Sequence, residues 1–292
     1  MKRVCVPIAL LVAINVLCSP ANAHGKTSSA ATPVTAARPM TSSATAIAKG
    51  EQASPLPRTM RIGVFVFDNF EPIDVWGFVQ AFSISRHKGT GYDDPPPYPF
   101  EIVFISNETN PGTAGAVPKP VKSYNGPRVA PDVFRDDALS QNFDVVMIPG
   151  GAGTGDLLVH SEPAKVEALM TWVRAMDARV SIMASVCTGA SILARSGLLD
   201  GQPAATNHTA FAWVSSFGPR VKWDKVSRWV DAGKHVTSAG TSAGTDMAFY
   251  LVERLKGKAV AEAAVLAAEY DWHRDPKGAI FYPRQADVPP AR

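Results

Sequence analysis

Short apolar runs alternate with amphipathic segments over residues 61–270 of this 292-residue chain, and this alternation strongly constrains the fold. The apolar runs are near-continuous, so we expect both faces of each strand to be buried. The predicted strands cover residues 61–67, 100–106, 143–148, 180–186, 204–206, 228–230 and 234–238. The predicted helices cover residues 74–85, 161–178, 188–196, 209–217, 241–256 and 259–270. This order predicts a three-layer α/β/α sandwich with a mainly parallel central sheet.

The first 58 residues differ in character from the alternating region. Residues 1–23 combine a basic start, an apolar run and an Ala-x-Ala end, which are the parts of a secretory signal peptide cleaved after Ala23. Of the 35 residues in 24–58, 22 are Ala, Ser, Thr or Pro, which favours a disordered tether. We therefore predict one globular domain over residues 59–286 and a short tail over residues 287–292. The protein is expected to be periplasmic or secreted, with no stable membrane anchor after cleavage.

The cysteine count carries most of the chemical information. Cys5 and Cys18 lie in the signal peptide, so cleavage leaves only Cys187 and no internal disulfide. Cleavage also lowers the net charge from +3 to about +1, because Lys2 and Arg3 are removed. A charge this small does not indicate a nucleic-acid partner. An exported protein with one thiol is expected either to bury it or to use it.

Cys187 follows a predicted strand and precedes a predicted helix, within Ser185-Val186-Cys187-Thr188-Gly189. This arrangement is typical of a nucleophile elbow, in which a sharp turn presents a reactive side chain at the sheet edge. The start of the following helix is expected to favour the thiolate. The alternative is a buried cysteine that packs as a small apolar residue.

Other strand ends carry weaker signals. Asp74 lies near a helix start and, from spacing alone, is more simply explained as a helix cap. Gly150 and Gly151 follow a strand, where exposed N–H groups can hold a developing anion or simply form a loop. His208 also follows a short strand and either pairs with the thiol or caps and packs locally. The six histidines show no spacing typical of a metal site.

The chain over residues 61–286 resembles the ThiJ/PfpI superfamily, which has a flavodoxin-like, class I glutamine amidotransferase-like fold. The motifs that carry the resemblance are Ile73-Asp74-Val75-Trp76-Gly77, Ile148-Pro149-Gly150-Gly151, Ala184-Ser185-Val186-Cys187-Thr188-Gly189, Thr237-Ser238-Ala239-Gly240, Gly244-Thr245-Asp246-Met247-Ala248 and Glu269-Tyr270. Within the superfamily it is similar to the isonitrile hydratase branch and to the ligand-binding half of AraC-type regulators.

The resemblance implies specific roles for the motif residues. Cys187 would be the nucleophile, Asp74 the general acid and base, and Thr188 the group that orients substrate or water. The backbone amides of Gly151 and Thr188 would stabilise negative charge. The residues expected to bind the substrate or its oxyanion are Gly150, Gly151 and His208. The resemblance implies a homodimer, and it implies neither a metal nor an organic cofactor.

Three functions are compatible with these features. The first is an exported cysteine enzyme that acts on a small molecule, with hydration of an isonitrile as its most concrete form. The second is a non-catalytic periplasmic protein that binds or senses a small molecule. The third is a thiol-based sensor of oxidative stress, in which Cys187 becomes sulfenic or sulfinic acid.

Overall fold

The computed structural model describes residues 58–277, apart from residues 92 and 95. The predicted signal peptide (1–23), nearly all of the predicted tether (24–58), the last residues of the predicted domain and the tail (287–292) lie outside the described residues. In the described part of the chain, no helix has the length and apolar character needed to cross a membrane.

The described residues form ten strands and eight α-helices. The strands are β1 (Met60–Val66), β2 (Phe100–Ser106), β3 (Val121–Lys122), β4 (Arg128–Val129), β5 (Val145–Ile148), β6 (Ile182–Val186), β7 (Pro203–Ala205), β8 (Lys222–Asp224), β9 (Trp229–Asp231) and β10 (His235–Ser238). The helices are α1 (Pro72–Ser83), α2 (Arg135–Ala138), α3 (Gly153–Gly155), α4 (Pro163–Asp177), α5 (Ala190–Arg195), α6 (Phe211–Ser215), α7 (Ser242–Lys256) and α8 (Lys258–Ala267). A π-helical turn (Asp156–His160) follows α3, and a 3-10 turn (Cys187–Gly189) precedes α5.

A six-stranded sheet in the order β2-β1-β5-β6-β10-β9 forms the centre of the domain. Its first five strands are parallel, and β9 pairs antiparallel with β10 at one edge. Every residue of β5 and β6 is buried. Because successive side chains of a strand point to opposite faces, the sheet must be covered on both sides. The predicted α/β sandwich is therefore confirmed.

Buried helix faces supply the cover. The apolar face predicted for α4 is buried, and its members are Val166, Leu169, Met170, Val173 and Met176. On α1, Gly77 lies directly against the hydroxyl of Thr245 on α7, so a side chain at position 77 would clash. This close approach holds α1, which carries Asp74, against α7.

Candidate active site

Cys187 occupies a strained turn at the carboxyl end of β6. Its φ of 58° lies in the left-handed region, which non-glycine residues adopt mainly where the surroundings hold them there. The Cys187 N–H donates to the carbonyl of Ala239 (3.1 Å), and Thr206 Oγ1 donates to the Cys187 carbonyl (2.9 Å). These contacts fix the turn, and the elbow predicted from the sequence is present.

The ends of β5 and β6 approach each other so closely that only glycine fits. A Cβ added to Gly150 would lie 2.5 Å from Thr188 N and 2.9 Å from Cys187 Cβ. A Cβ added to Gly189 would collide with the carbonyl of Ile148. The glycines of the two motifs therefore bring the loop after β5 into contact with the thiol turn.

Asp74 is fully buried in the first turn of α1. Its Oδ2 accepts a hydrogen bond from the Gly150 N–H (2.8 Å), so the carboxyl contacts the loop after β5 rather than capping its own helix. Its Oδ1 is buried and has no hydrogen-bond partner of normal geometry among the described residues. The helix-cap interpretation of Asp74 is therefore wrong.

Burial dominates the protonation of Asp74 and raises its pKa to about 7. The charge of Glu71 raises this pKa further, whereas the Gly150 N–H and the nearby Cys187 thiol lower it. A carboxyl with this pKa can both accept and donate a proton near neutral pH.

The pKa of Cys187 is also raised, to about 12, first by burial and then by the charge of Asp74. Donation from the Thr188 N–H and the Asn207 side chain lowers it by less. The Thr188 N–H at the start of the turn does favour the thiolate, as predicted, but burial and the charge of Asp74 outweigh it in the resting protein. Only a 3-10 turn and the six-residue α5 follow the sulfur, so the helix dipole is small beside the cost of burying a charge.

Asn207 contacts the sulfur directly, which the sequence analysis did not foresee. Its Nδ2 lies 3.2 Å from Cys187 Sγ and donates to it. Its Oδ1 accepts from the Ala210 N–H (2.9 Å) and from Thr209 Oγ1 (2.7 Å), and these bonds fix the direction of the amide. The one feature of the sequence that could have pointed to Asn207 is its position shortly after β7, next to His208.

His208 is half-buried and interacts with Asp224 and Ser227, and burial lowers its pKa. Its neighbour Asn207 is the residue that donates to the sulfur.

The backbone N–H groups of Gly150 and Gly151, which were predicted to hold an oxyanion, already donate hydrogen bonds within the protein. Gly150 donates to Asp74, and Gly151 donates to Thr188 Oγ1 (3.0 Å). The Thr188 hydroxyl also lies 3.2 Å from Thr154 Oγ1. Of the two amides predicted to stabilise negative charge, only that of Thr188 faces the sulfur.

A cavity of about 370 Å³ lies beside Thr188. Its walls include Gly151, Thr154, Val159, His160, Thr188 and Trp213. His160 is the only ionisable residue among the described residues that line it, and its Nδ1 lies 3.1 Å from Asp156. This cavity therefore suits a small, neutral and mainly apolar molecule. Across the described residues, no group of three or more His, Cys, Asp or Glu side chains could hold a metal ion.

Comparison with curated proteins shows similarity to both enzymes and regulators. The chain is 32% identical to isonitrile hydratase from Pseudomonas putida over 151 residues, which cover 52% of this chain and 61% of that protein. It is 28% identical to the glutathione-independent glyoxalase DJR-1.2 of Caenorhabditis elegans, over 49% of this chain and 72% of that protein. It is 28% identical to the HTH-type transcriptional regulator GbdR of Pseudomonas aeruginosa, over 49% and 36% of the two chains. The chain thus spans less than two thirds of isonitrile hydratase and of GbdR.

Solved structures share the fold. A THiJ/PfpI family protein from Pseudomonas syringae superposes with a TM-score of 0.59 at 23% identity, covering 76% of this chain and 80% of that one. Drosophila melanogaster DJ-1beta superposes with a TM-score of 0.58 at 17% identity, covering 74% of this chain and 100% of that one. The sequence profile of the DJ-1/PfpI family matches residues 60–254, which are 195 of the 292 residues. Together with the strained cysteine turn and the sheet that carries it, this match shows that the chain belongs to the DJ-1/PfpI family.

Proposed function

We propose that this chain is an exported, cysteine-dependent enzyme that hydrates isonitriles to N-substituted formamides. The observation that carries the proposal is the buried pair of Cys187 and Asp74. Burial raises both pKa values, the charge of Asp74 raises that of the thiol further, and a hydrogen bond with Cys187 lowers that of Asp74. The similarity to isonitrile hydratase from P. putida supports the reaction class. Export is inferred from residues 1–23, which have the parts of a signal peptide.

The pair can generate a thiolate even though the thiol pKa is high. Transfer of the thiol proton to ionised Asp74 leaves one negative charge in the site, as before, so no further charge is buried. The same transfer neutralises Asp74, whose charge is the second-largest cause of the raised thiol pKa. The two groups therefore titrate as a unit, and the thiolate is needed only while it attacks.

The proposed reaction uses one water and conserves the charge of the site. Asp74 takes the thiol proton as the sulfur attacks the terminal carbon of R–NC, and it then protonates that carbon to give the thioimidate Cys187–S–CH=N–R. Water adds to this carbon, the C–S bond breaks, and the thiol is re-formed with release of R–NH–CHO. The sum is R–NC + H₂O → R–NH–CHO.

Two donors stabilise the sulfur when it carries charge. The amide of Asn207 and the N–H of Thr188 both face Sγ, and both lower its pKa. Hydrogen bonds to a charged group are stronger than neutral ones, so these donors favour the attacking and leaving thiolate over the resting thiol. The hydroxyl of Thr188 lines the cavity and is proposed to orient the attacking water.

The test is to incubate the purified protein with 4-nitrophenyl isocyanide and to measure the corresponding formamide. Wild type is expected to form it, and Cys187→Ala is expected to form none above the uncatalysed rate. Cys187→Ser tests whether a hydroxyl can replace the thiol, and its activity is expected to be at background. Equal rates for wild type and Cys187→Ala would exclude the covalent mechanism.

A binding or sensing protein is the second candidate, and the raised thiol pKa favours it. A thiol that stays protonated can help to shape a pocket without reacting, and the similarity to GbdR is consistent with this role. This function predicts that an isonitrile raises the melting temperature equally in wild type and Cys187→Ser, with no product. The oxidation-sensor hypothesis needs the same thiolate, because peroxide reacts with that form, and no contact among the described residues specifically favours this function.

A further inference from the structure

A second and larger cavity, of about 640 Å³, lies beyond the end of β2 against α4. The residues that matter for its chemistry are Asn107, Phe134, Arg135, Leu157, Ala168 and Leu169. Its volume lies within the range of small-molecule sites. The second cavity follows β2, and Cys187 follows β6. Because β1 and β5 lie between these two strands, the strands are about 14 Å apart, which is three strand spacings.

The floor of this cavity is apolar. Phe134 and Leu169 belong to the buried core, and Leu157 packs against that core. Ala164 and Ala168 lie one helical turn apart on the exposed side of α4 and leave room above Leu169. A ligand here therefore has an apolar body.

Arg135 supplies the charge. Its guanidinium donates to Asn107 Oδ1 (3.0 Å), but no carboxylate among the described residues lies within 4.0 Å of it. The two lysines of the cavity differ, because Lys119 pairs with Glu108 and Lys165 pairs with Glu162. Burial lowers the pKa of Arg135, and the charge of the neighbouring Asp136 raises it by less. The one carboxylate among the described residues that line the cavity is Glu108, which pairs with Lys119. The backbone of Arg135 is held by Trp172, whose Nε1 donates to its carbonyl (2.6 Å).

We propose that this cavity is a second ligand site, for a monocarboxylate with an apolar body. The carboxylate would bind the guanidinium of Arg135 through the donors that Asn107 leaves free, and the apolar body would lie on Phe134, Leu157 and Leu169. A planar guanidinium matches a carboxylate with two parallel hydrogen bonds. Because Lys119 and Lys165 pair with carboxylates, Arg135 is, among the described residues that line the cavity, the one cation with donors left for a ligand, which suits a monoanion better than a phosphate.

This site is separate from the cavity beside Thr188, although one segment lines both. The π-helical turn Asp156–His160 presents Leu157 to the second cavity, whereas its Val159 and His160 line the cavity beside Thr188. Binding at Arg135 can therefore be tested without any assumption about turnover at Cys187.

Calorimetric titration of the purified protein with octanoate tests the proposal, with octanamide as the matched neutral probe. Octanoate is expected to bind at least about tenfold more tightly than octanamide, since the amide lacks the charge that Arg135 recognises. Arg135→Met, which keeps the apolar stem, is expected to lose that preference, and Arg135→Lys to keep part of it. Arg179→Met removes an exposed arginine just beyond α4 and serves as the control, with unchanged octanoate affinity.

A second variant locates the ligand. Ala168→Phe fills the exposed mouth of the cavity without disturbing the core, and it is expected to weaken octanoate binding at least tenfold while the melting temperature stays the same. Inorganic phosphate is not expected to displace octanoate. The proposal is wrong if wild type gives no octanoate binding, if Arg135→Met or Ala168→Phe binds as wild type does, if octanamide binds equally well, or if phosphate competes.

Discussion

Asn207 donates its side-chain amide to the sulfur of Cys187 over 3.2 Å, and its own Oδ1 is held by the Ala210 N–H and the Thr209 hydroxyl. The amide therefore cannot rotate to offer oxygen to the sulfur without breaking two hydrogen bonds. This fixed donor distinguishes a thiol site from an ordinary buried cysteine, because it stabilises the charged form of the sulfur.

Replacing this donor should slow the reaction with little effect on the fold. Asn207→Asp keeps the oxygen that accepts from Ala210 and Thr209, but it places an acceptor where Nδ2 stood. We expect kcat for formamide formation to fall roughly 10- to 100-fold, the effect of losing one hydrogen bond to a charged group. Thr209→Val removes a contact of Asn207 but not the donor to sulfur, so its rate should stay close to that of wild type. A wild-type rate for Asn207→Asp would show that the contact is not used.

The pH dependence of catalysis should report Asp74. Because its pKa is raised to about 7 and the carboxylate takes the thiol proton, kcat/KM should rise with pH through a midpoint near pH 7 and then level off. Asp74→Asn should lower kcat by roughly 10² to 10⁴-fold, the usual contribution of a general acid or base.

Glu71→Gln tests whether Asp74 sets this pH profile, because the charge of Glu71 raises the pKa of Asp74. Its removal should move the midpoint of the profile to lower pH while the plateau persists. An unchanged midpoint would mean that a group other than Asp74 sets the profile.

Replacing Asp74 by Asn should raise the stability of the protein above pH 7, although it lowers the activity. The folded protein holds the Asp74 proton up to about pH 7, whereas the unfolded chain releases it near pH 4. Between these values the folded state binds more protons, so the free energy of unfolding falls as pH rises through this window.

Asp74→Asn removes the titration and can still accept from the Gly150 N–H. At pH 8 it should therefore unfold at a higher denaturant concentration than wild type. Its free energy of unfolding should be higher by on the order of 2–4 kcal/mol. At pH 4 the two proteins should have similar stability. Denaturant unfolding at both pH values measures the difference, and a variant less stable than wild type at pH 8 would contradict the burial argument.

Gly150→Ala tests the close approach of the β5 and β6 ends. The new Cβ would meet Thr188 N and Cys187 Cβ, and neither can move without shifting the strained turn. We expect a loss of about 1–3 kcal/mol in stability together with loss of formamide formation.

Gly155→Ala is the stability control, since its φ is −65° and a Cβ there has no atom within 4 Å. Its melting temperature should match that of wild type or exceed it, because alanine favours helix. Equal melting temperatures for Gly150→Ala and wild type would show that the two strand ends have room to separate.

Much of the fold was predictable because the elements follow from local patterns of apolar and polar residues. The apolar runs of β1, β2 and β6 and the buried face of α4 each lie within one continuous segment, so periodicity alone located them to within a few residues. The turn at Cys187 was also predictable, since a strand, a thiol, small neighbours and a helix follow in order.

The chemistry of the site was less predictable. Spacing alone favoured Asp74 as a helix cap, and only the resemblance placed it at the thiol. The sequence left open whether His208 pairs with the thiol, and its neighbour Asn207 is the residue that contacts the sulfur. A shift of one residue after a short strand reverses the direction of the side chain, and no local pattern specifies it.

The sequence by itself indicated the mainly parallel sheet and the strand end that carries the thiol. It also predicts an export-type leader. Tertiary structure decided which groups face that thiol and which charge they carry. Asp74 on α1 and Asn207 after β7 are distant from Cys187 in the chain. The contact of Asp74 with the loop after β5 and the contact of the β7 end with the Cys187 turn bring them together. Burial by that packing raises both pKa values, since desolvation depends on the assembled surroundings of a group and not on its neighbours in sequence.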